Sequence, residues 1–481
     1  MTPQLARRIL GLAVVLGVLA NSLLKVDSWR AGFVLFVIAC LGVAWWVARD
    51  SAAEPSARRE RLMLYGAAAV LASLLVLRDA PTLYALDFFA FLVVMFLVAW
   101  RASGRSLGQL EPRDALIGVA SSVTAVVGGT PTLALRDAEL GSIDTEQRKS
   151  YKGFGIGAIV ALPVLLLVTG LLASADPLFA GFVEQTGVML EGEFVGHVLF
   201  TAAAAWVTAG ALRGSLVPVG ITGSSFRREL SLSFSSVAPL LGGLTLLLSA
   251  WIGLQVRTLF GGAEYIAETA GVTVADYARE GFFQMIVIAG IVLAALLVAD
   301  DLLERADGKT RHSFRILGQV LVALVGAVLV SAVLRLGLYL SYFGLTDDRV
   351  LALSVLVWVA LVLAWFAMTV LRGVRTRFAP GVLVLSAIWL GALNIANPER
   401  WIVEVNVQRA ERGLPFDIAY HAKLSGDALP TMLAKADRLG AERATELRAA
   451  IRTEWTARAV ERADWRRWSL PYVNGVKTVA R

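Results

Sequence analysis

Cysteine and histidine are almost missing from this chain. The single cysteine, Cys40, lies inside an apolar run, which excludes an intramolecular disulfide and any thiolate metal site. The three histidines, His197, His312 and His421, are far apart in sequence and are read as loop or interface residues rather than metal ligands. The short motifs of phosphate binding, acyl transfer and metal-assisted hydrolysis are absent as well: there is no Walker loop, no G-x-S-x-G, no H-E-x-x-H and no C-x-x-C. The apolar runs hold no paired carboxylates. Gly128-Gly129 and Gly242-Gly243 fit close helix packing or a break better than a phosphate cradle. Asp300-Asp301 falls at the end of an apolar run and is read as a solvated helix end. Nothing here implies a cofactor, a metal or a recognisable reaction.

What the chain has in abundance is hydrophobicity. Of its 481 residues 57% are hydrophobic, and the mean hydropathy is +0.68. Long apolar runs flanked by charge are membrane spans. A bilayer core satisfies no backbone polar groups, so spans must be helices or a closed barrel, and these continuous Leu/Val/Ala runs lack the alternation a barrel needs. The fold class is therefore all-α: a polytopic helical membrane bundle of about eleven spans over residues 1–396, followed by a small helical extramembrane domain over 397–481. Spans are expected near 9–24, 31–48, 62–77, 82–100, 153–174, 194–212, 236–258, 281–299, 316–343, 350–371 and 379–396. The first run follows Arg7-Arg8 like a signal peptide, with Val18-Leu19-Ala20 as a cleavage site, but spans follow at once and an uncleaved anchor is preferred. The run 114–135 is weaker. It carries Ser121, Ser122 and Thr124 and is broken by Gly128-Gly129-Thr130-Pro131, which suits a re-entrant or surface-lying segment.

Charge sets the expected orientation. The formal net charge is +7, but the cations sit in short loops beside spans, as topology signals rather than a nucleic-acid surface. The N-terminus and loops 49–61, 101–152, 213–235, 300–315 and 372–378 hold 23 Lys and Arg, whereas the alternate loops hold 6. The cation-rich side is taken as cytoplasmic, which places residues 397–481 outside. That assignment holds only if 114–135 does not cross. The tail is read as a helix from Pro398 to Gly413, a second from Pro415 to Gly440, and a third over 441–464 with Leu447, Ile451, Trp455 and Ala459 on one face.

One cation is left inside an apolar run: Arg335, about eight residues, or roughly 12 Å, from the outer end of its span. An intramembrane ionisable side chain is by default a functional-site candidate, weighed against an arginine that only snorkels along its stem. Tyr339 stands one turn away on the same face. Asp87, Glu280, Gln284 and Gln255 all fall near outer helix ends, with Asp87 the best acidic partner by depth. Arg335, Tyr339, Asp87, Glu280, Gln284 and Gln255 thus form the candidate binding set.

Several stretches carry a family resemblance: LLASADPLFA at 171–180, QVRTLFGG at 255–262, DYAREGFFQM at 276–285, RLGLYLSYFGLTDDR at 335–349, NPERWIVEVNVQRA at 397–410 and DIAYHAKLSGDALP at 417–430. On these the chain resembles an uncharacterised bacterial family of multi-pass membrane proteins, the domain of unknown function four-one-seven-three. The resemblance implies a bacterial cytoplasmic-membrane protein and no activity. Three functions stay open on the residues: a non-catalytic envelope sensor or assembly partner meeting a protein through 397–481, a transporter of a small anionic solute, and a membrane-embedded transferase. Beyond the lipid bilayer and that envelope partner no other partner, and no nucleic acid, is implied.

Overall fold

The computed structural model describes residues 1–24, 30–49, 55–102, 106–109, 126–138, 192–217, 234–260, 282–303 and 307–480. Among these every regular element is helical. Ten long helices come first: α1 (Pro3–Leu24), α2 (Ala31–Ala48), α3 (Pro55–Leu77), α4 (Pro81–Ala102), α5 (Gly192–Leu216), α6 (Phe234–Phe260), α7 (Phe282–Leu302), α8 (Gly308–Phe343), α9 (Asp347–Thr369) and α10 (Phe378–Ala396). Nine helices among the described residues, α1–α4 and α6–α10, are long and apolar enough to cross a membrane. Their exposed side chains, such as Leu246, Leu247, Ile291 and Ile388, suit lipid contact. Proline opens α1, α3 and α4, where its fixed φ and missing N–H cost nothing. With 36 residues, α8 runs about 54 Å at 1.5 Å per residue. It starts at Gly308 rather than near 316 because Asp307 caps it, accepting from the Thr310 N–H.

The spans pack as two groups. Ala6, Ile9, Ala13 and Leu16 of α1 bury against Ala209 and Leu212 of α5, while Phe33 of α2 meets Ala68, Ala72 and Leu75 of α3 and Phe91 of α4. The second group, α6–α9, buries Leu241, Leu296, Leu321, Val325 and Phe366. α10 joins the two groups, Ala379 and Leu383 packing on Leu64, Leu97 and Trp100. Of the run 114–135, residues 114–125 lie outside the described residues, as do the expected span 153–174 and Glu280. Residues 126–132 are helical and pass into the π turn Leu133–Asp137. This piece is held by Trp206 Nε1 donating to Val127 O at 3.0 Å and by Arg213 on Asp137 at 2.6 Å.

The tail follows α10 directly: α11 (Pro398–Glu411), α12 (Ile418–Ala422), α13 (Leu429–Lys435), α14 (Ala441–Glu461), the 3-10 turn Trp465–Arg467, and α15 (Leu470–Val479). Ala444, Leu447, Ile451 and Trp455 of α14 are its buried stripe. Gly440, at φ 89°, opens α14. Two expectations are corrected here. Residues 415–440 are not one helix: Lys423–Ala428 interrupt it, because Ser425, Gly426 and Asp427 bond outside the helix and Pro430 begins a new one. The Asp300-Asp301 end is not simply solvated either: Asp300 is buried, and Asp301 stays partly exposed. They hold Arg375, at 3.7 and 2.8 Å, ahead of α10.

Candidate functional site at the junction of tail and bundle

A membrane helix that ends at the bilayer surface leaves backbone N–H or C=O groups without intrahelical partners. At the end of the bundle nearest the tail, those groups are satisfied by side chains from distant parts of the chain. Arg30 closes α3, its guanidinium donating to Leu75 O at 3.3 Å, Arg78 O at 2.9 Å and Asp79 O at 3.2 Å. Asp427, from the tail, closes the start of α4: its Oδ2 accepts from the Asp79 N–H and, at 2.9 Å, from the Ala80 N–H. A carboxylate suits the positive end of the helix dipole. Arg409, also from the tail, closes α8 by donating to Leu340 O at 3.1 Å, Ser341 O at 2.7 Å and Tyr342 O at 3.0 Å.

The Arg30 and Asp427 caps meet in a buried ionic cluster centred on Asp79, which is 2% exposed. Its Oδ1 pairs with Arg30 at 3.5 Å and Arg462 at 3.0 Å and accepts from the Ser469 hydroxyl at 2.8 Å. Its Oδ2 accepts from the Gly426 N–H at 3.1 Å. The exchange is reciprocal: Asp79 takes a backbone donor from the tail loop, and Asp427 of that loop takes two from the turn that carries Asp79. Burial alone would raise the Asp79 carboxyl, but Arg30, Arg462, the Gly426 N–H and the Ser469 hydroxyl together hold it below the usual range. Arg78 extends the cluster, reaching Asp427 Oδ1 at 3.1 Å and the carbonyl of Asn394. Gly426 has no room for a side chain, since a Cβ there would stand 2.4 Å from the backbone carbon of Pro471.

Beside it lies a buried acid. Glu399, 1% exposed, accepts from the Ser425 N–H at 3.0 Å and pairs with the Ser425 hydroxyl. Burial, with Asp347, Asp427 and Asp79 nearby, pushes its carboxyl up to about 8 against the opposing Ser425 bond.

A second seam uses neutral groups. Between α8 and α9, Gly344 turns the chain at φ 73°, and Asn406 of the tail pairs with Leu345 like a strand neighbour: its Oδ1 accepts from Leu345 N at 2.9 Å and its Nδ2 donates to Leu345 O at 2.8 Å. His421 Nε2 lies 3.1 Å from Asn406 Nδ2 and its Nδ1 lies 2.6 Å from Asp417 O, so the neutral tautomer with the proton on Nδ1 satisfies both partners. Burial, opposed by Asp417, pulls the His421 pKa down in agreement. Leu345 and Val350 insert into the tail's own core beside Ile402, Val403 and Trp455.

The residues singled out from sequence fall in different places. Asp87, fully buried, accepts from Asn394 Nδ2 at 2.9 Å and so adjoins the ionic cluster through the residue whose carbonyl takes Arg78. Tyr339 belongs to the second seam, its hydroxyl accepting from Arg349 at 3.3 Å with the guanidinium 4.4 Å over its ring. Arg335 is buried on α8 at 7% exposure, next to buried Ser331, Ala332 and Leu336. Gln284 is exposed at the start of α7. Glu280 and the side chain of Gln255 lie outside the described residues.

Sequence reasoning passed over Asp79, Arg30, Asp427, Glu399, Arg462, Asn394 and Asn406. A signal was present in two places. Arg-Asp-Ala-Pro at 78–81 puts both charge signs into a minimal turn between two spans, and Ser-Gly-Asp at 425–427 interrupts an otherwise helical run.

The sequence profile of one protein family, described as Domain of unknown function (DUF4153), matches residues 65–434. The chain belongs to the DUF4153 family. This corrects the family suggested by the motif stretches, the domain of unknown function four-one-seven-three. No curated protein and no solved structure matches the chain. The DUF4153 match contains Arg78, Asp79, Asp87, Asn394, Glu399, Asn406 and Asp427, while Arg30, Arg462 and Ser469 fall outside it. Among the described residues no group of three or more His, Cys, Asp or Glu side chains is placed so that it could hold a metal ion. The junction's carboxylates are engaged by guanidinium, hydroxyl and backbone donors, an arrangement suited to fixing a position.

Proposed function

We propose that this DUF4153 protein is a non-catalytic envelope protein of the bacterial cytoplasmic membrane, a sensor or assembly partner that presents residues 397–481 as a recognition platform. The observation that carries the reading is the buried Asp79 cluster. It ties the tail to the end of α3 and the start of α4, so that whatever engages the platform acts on the bundle as one body. The N-terminus is cytoplasmic and the tail extracytoplasmic, supported by the 23-to-6 asymmetry of loop cations. The platform offers the polar face of α14, with Arg452 and Thr456 turned outward, to an envelope protein.

Alkaline phosphatase fused after Arg481 is expected to be active, and an inactive fusion reverses the orientation. Photo-crosslinkers at Arg452 and Thr456 in living cells are expected to give a discrete protein adduct. The second reading, transport of a small anionic solute, draws on the buried Arg335. Anion flux into proteoliposomes that disappears in Arg335→Leu, with no adduct on the tail, would establish it in place of the platform.

A further inference from the structure

Not every aromatic side chain of the tail is used in its packing. Trp465 and Trp468 are 47% and 40% exposed, and Leu470 beside them is exposed as well. They flank a turn that is fixed to the last turn of α1 and to the residue that precedes α2. Arg466 donates to Ser22 O at 2.6 Å, and the Arg30 N–H donates to Arg466 O at 3.0 Å. Ser22 lies two residues before the end of α1, and Arg30 directly precedes α2. The turn therefore stands at the level where these two apolar helices end, and Val18 and Leu35 one turn deeper are exposed too. Tryptophan is enriched at that depth in membrane proteins, where an amphipathic ring meets the headgroup layer.

In sequence, Arg462-Ala-Asp-Trp-Arg-Arg-Trp468 looks like a basic segment made for anionic headgroups. The structure commits those arginines elsewhere. Arg462 is held by Asp79 at 3.0 Å, Arg466 by Asp464 and Ser22 O, and Arg467 donates to Glu461 O at 2.9 Å. Trp468 gives its indole N–H to Arg462 O at 3.0 Å, so the part of it left outside is ring carbon.

We infer that Trp465, Trp468 and Leu470 insert into the interfacial layer of the bilayer on the tail's side. This aromatic anchor works by apolar burial and does not depend on anionic lipid. It holds whichever side of the membrane the tail occupies and whether or not a partner binds the platform.

Trp465→Cys, Trp468→Cys and Leu470→Cys, each in the full-length chain with Cys40→Ala, would be spin-labelled and placed in nanodiscs of phosphatidylcholine alone or mixed with phosphatidylglycerol. Leu470 makes no side-chain hydrogen bond to lose, which protects the test if a tryptophan substitution loosens the turn. Relative to a label at Glu446→Cys on the exposed side of α14, all three labels are expected to lose access to an aqueous nickel relaxant and to gain access to oxygen. The loss should be equal in the two lipid mixtures. Nickel access equal to that at residue 446 overturns the anchor. Protection only with phosphatidylglycerol overturns its aromatic mechanism, and protection only in native membranes assigns the face to a protein.

Discussion

The two ends of the bundle use their charges differently. At the end away from the tail, ion pairs stay partly wet: Arg101 with Glu60 at 2.6 Å, Arg213 with Asp137 at 2.6 Å, Arg375 with Asp301 at 2.8 Å. At the tail end the acids are almost wholly buried, and Asp79 and Asp427 lie in one network although 348 residues separate them in sequence. A partly exposed pair contributes little, because water competes for both charges. A buried pair is different: its net worth can be small, yet deleting one partner is expensive because the other charge is stranded out of water. The tail end is thus poorly tolerant of single changes, and the opposite end is tolerant. That contrast, more than any single contact, marks the junction as the part of the molecule whose geometry is held.

The comparison can be broken most directly at Asp79. Asp79→Ala leaves Arg30 and Arg462 facing each other without their acid and is expected to destabilise the junction by about 3–5 kcal/mol. The measurement is limited proteolysis in mild detergent, with the tail released far earlier than in the parent protein. Unchanged protection would mean that the second seam at Asn406 suffices by itself.

Next in size is Gly426→Ala. The added methyl must displace the Pro471 backbone, a cost of roughly 1–3 kcal/mol, which thermal unfolding of the purified protein would detect. A Gly426→Ala protein as stable as the parent would show that the tail loop yields where the structure has it packed.

Glu399 supplies the pH dependence. Its folded-state pKa, about 8, lies above that of an unfolded glutamate. The stability it contributes is therefore fully present below about pH 4 and is lost as pH rises through about 8. Between those limits the junction should loosen with rising pH. In Glu399→Gln, which keeps a neutral group beside Ser425, that part of the pH slope should vanish. A slope that persists in Glu399→Gln would assign it to other groups.

The smallest effect is expected at the opposite end. Glu60→Ala removes the partner of Arg101 and should cost about 1 kcal/mol or less. A loss as large as that of Asp79→Ala would erase the difference between the two ends.

Much of the fold could be read from the chain, and the reasons are specific. The run from Val350 to Met368 carries no charged residue, and its one serine can bond its own helix, so it had to be a span. Proline at 398 marks a helix start, and the stripe Leu447, Ile451, Trp455 gives α14 its inward face. The candidate site was less legible. Arg335 stands out as the one cation inside an apolar run, whereas Arg78 reads only as a loop cation and Asp79 gives no signal of its own. Asp87 was noticed for its depth, but that its partner would be Asn394 of α10 required the packing of α4 on α10.

The sequence by itself determined the solvent and therefore the secondary structure. Lipid offers no hydrogen bonds, so each apolar run had to satisfy its own backbone as a helix, and the flanking charges had to remain outside. Tertiary structure alone decided which charges meet. Periodicity and composition report what each residue avoids, and Asp79 and Asp427 equally avoid lipid. Only the folding of the tail back onto the span ends brings an acid from residue 427 to the start of α4 and an arginine from residue 462 to the end of α3. Once water is excluded from that junction, the unsatisfied helix ends and the buried charges can be satisfied only by each other.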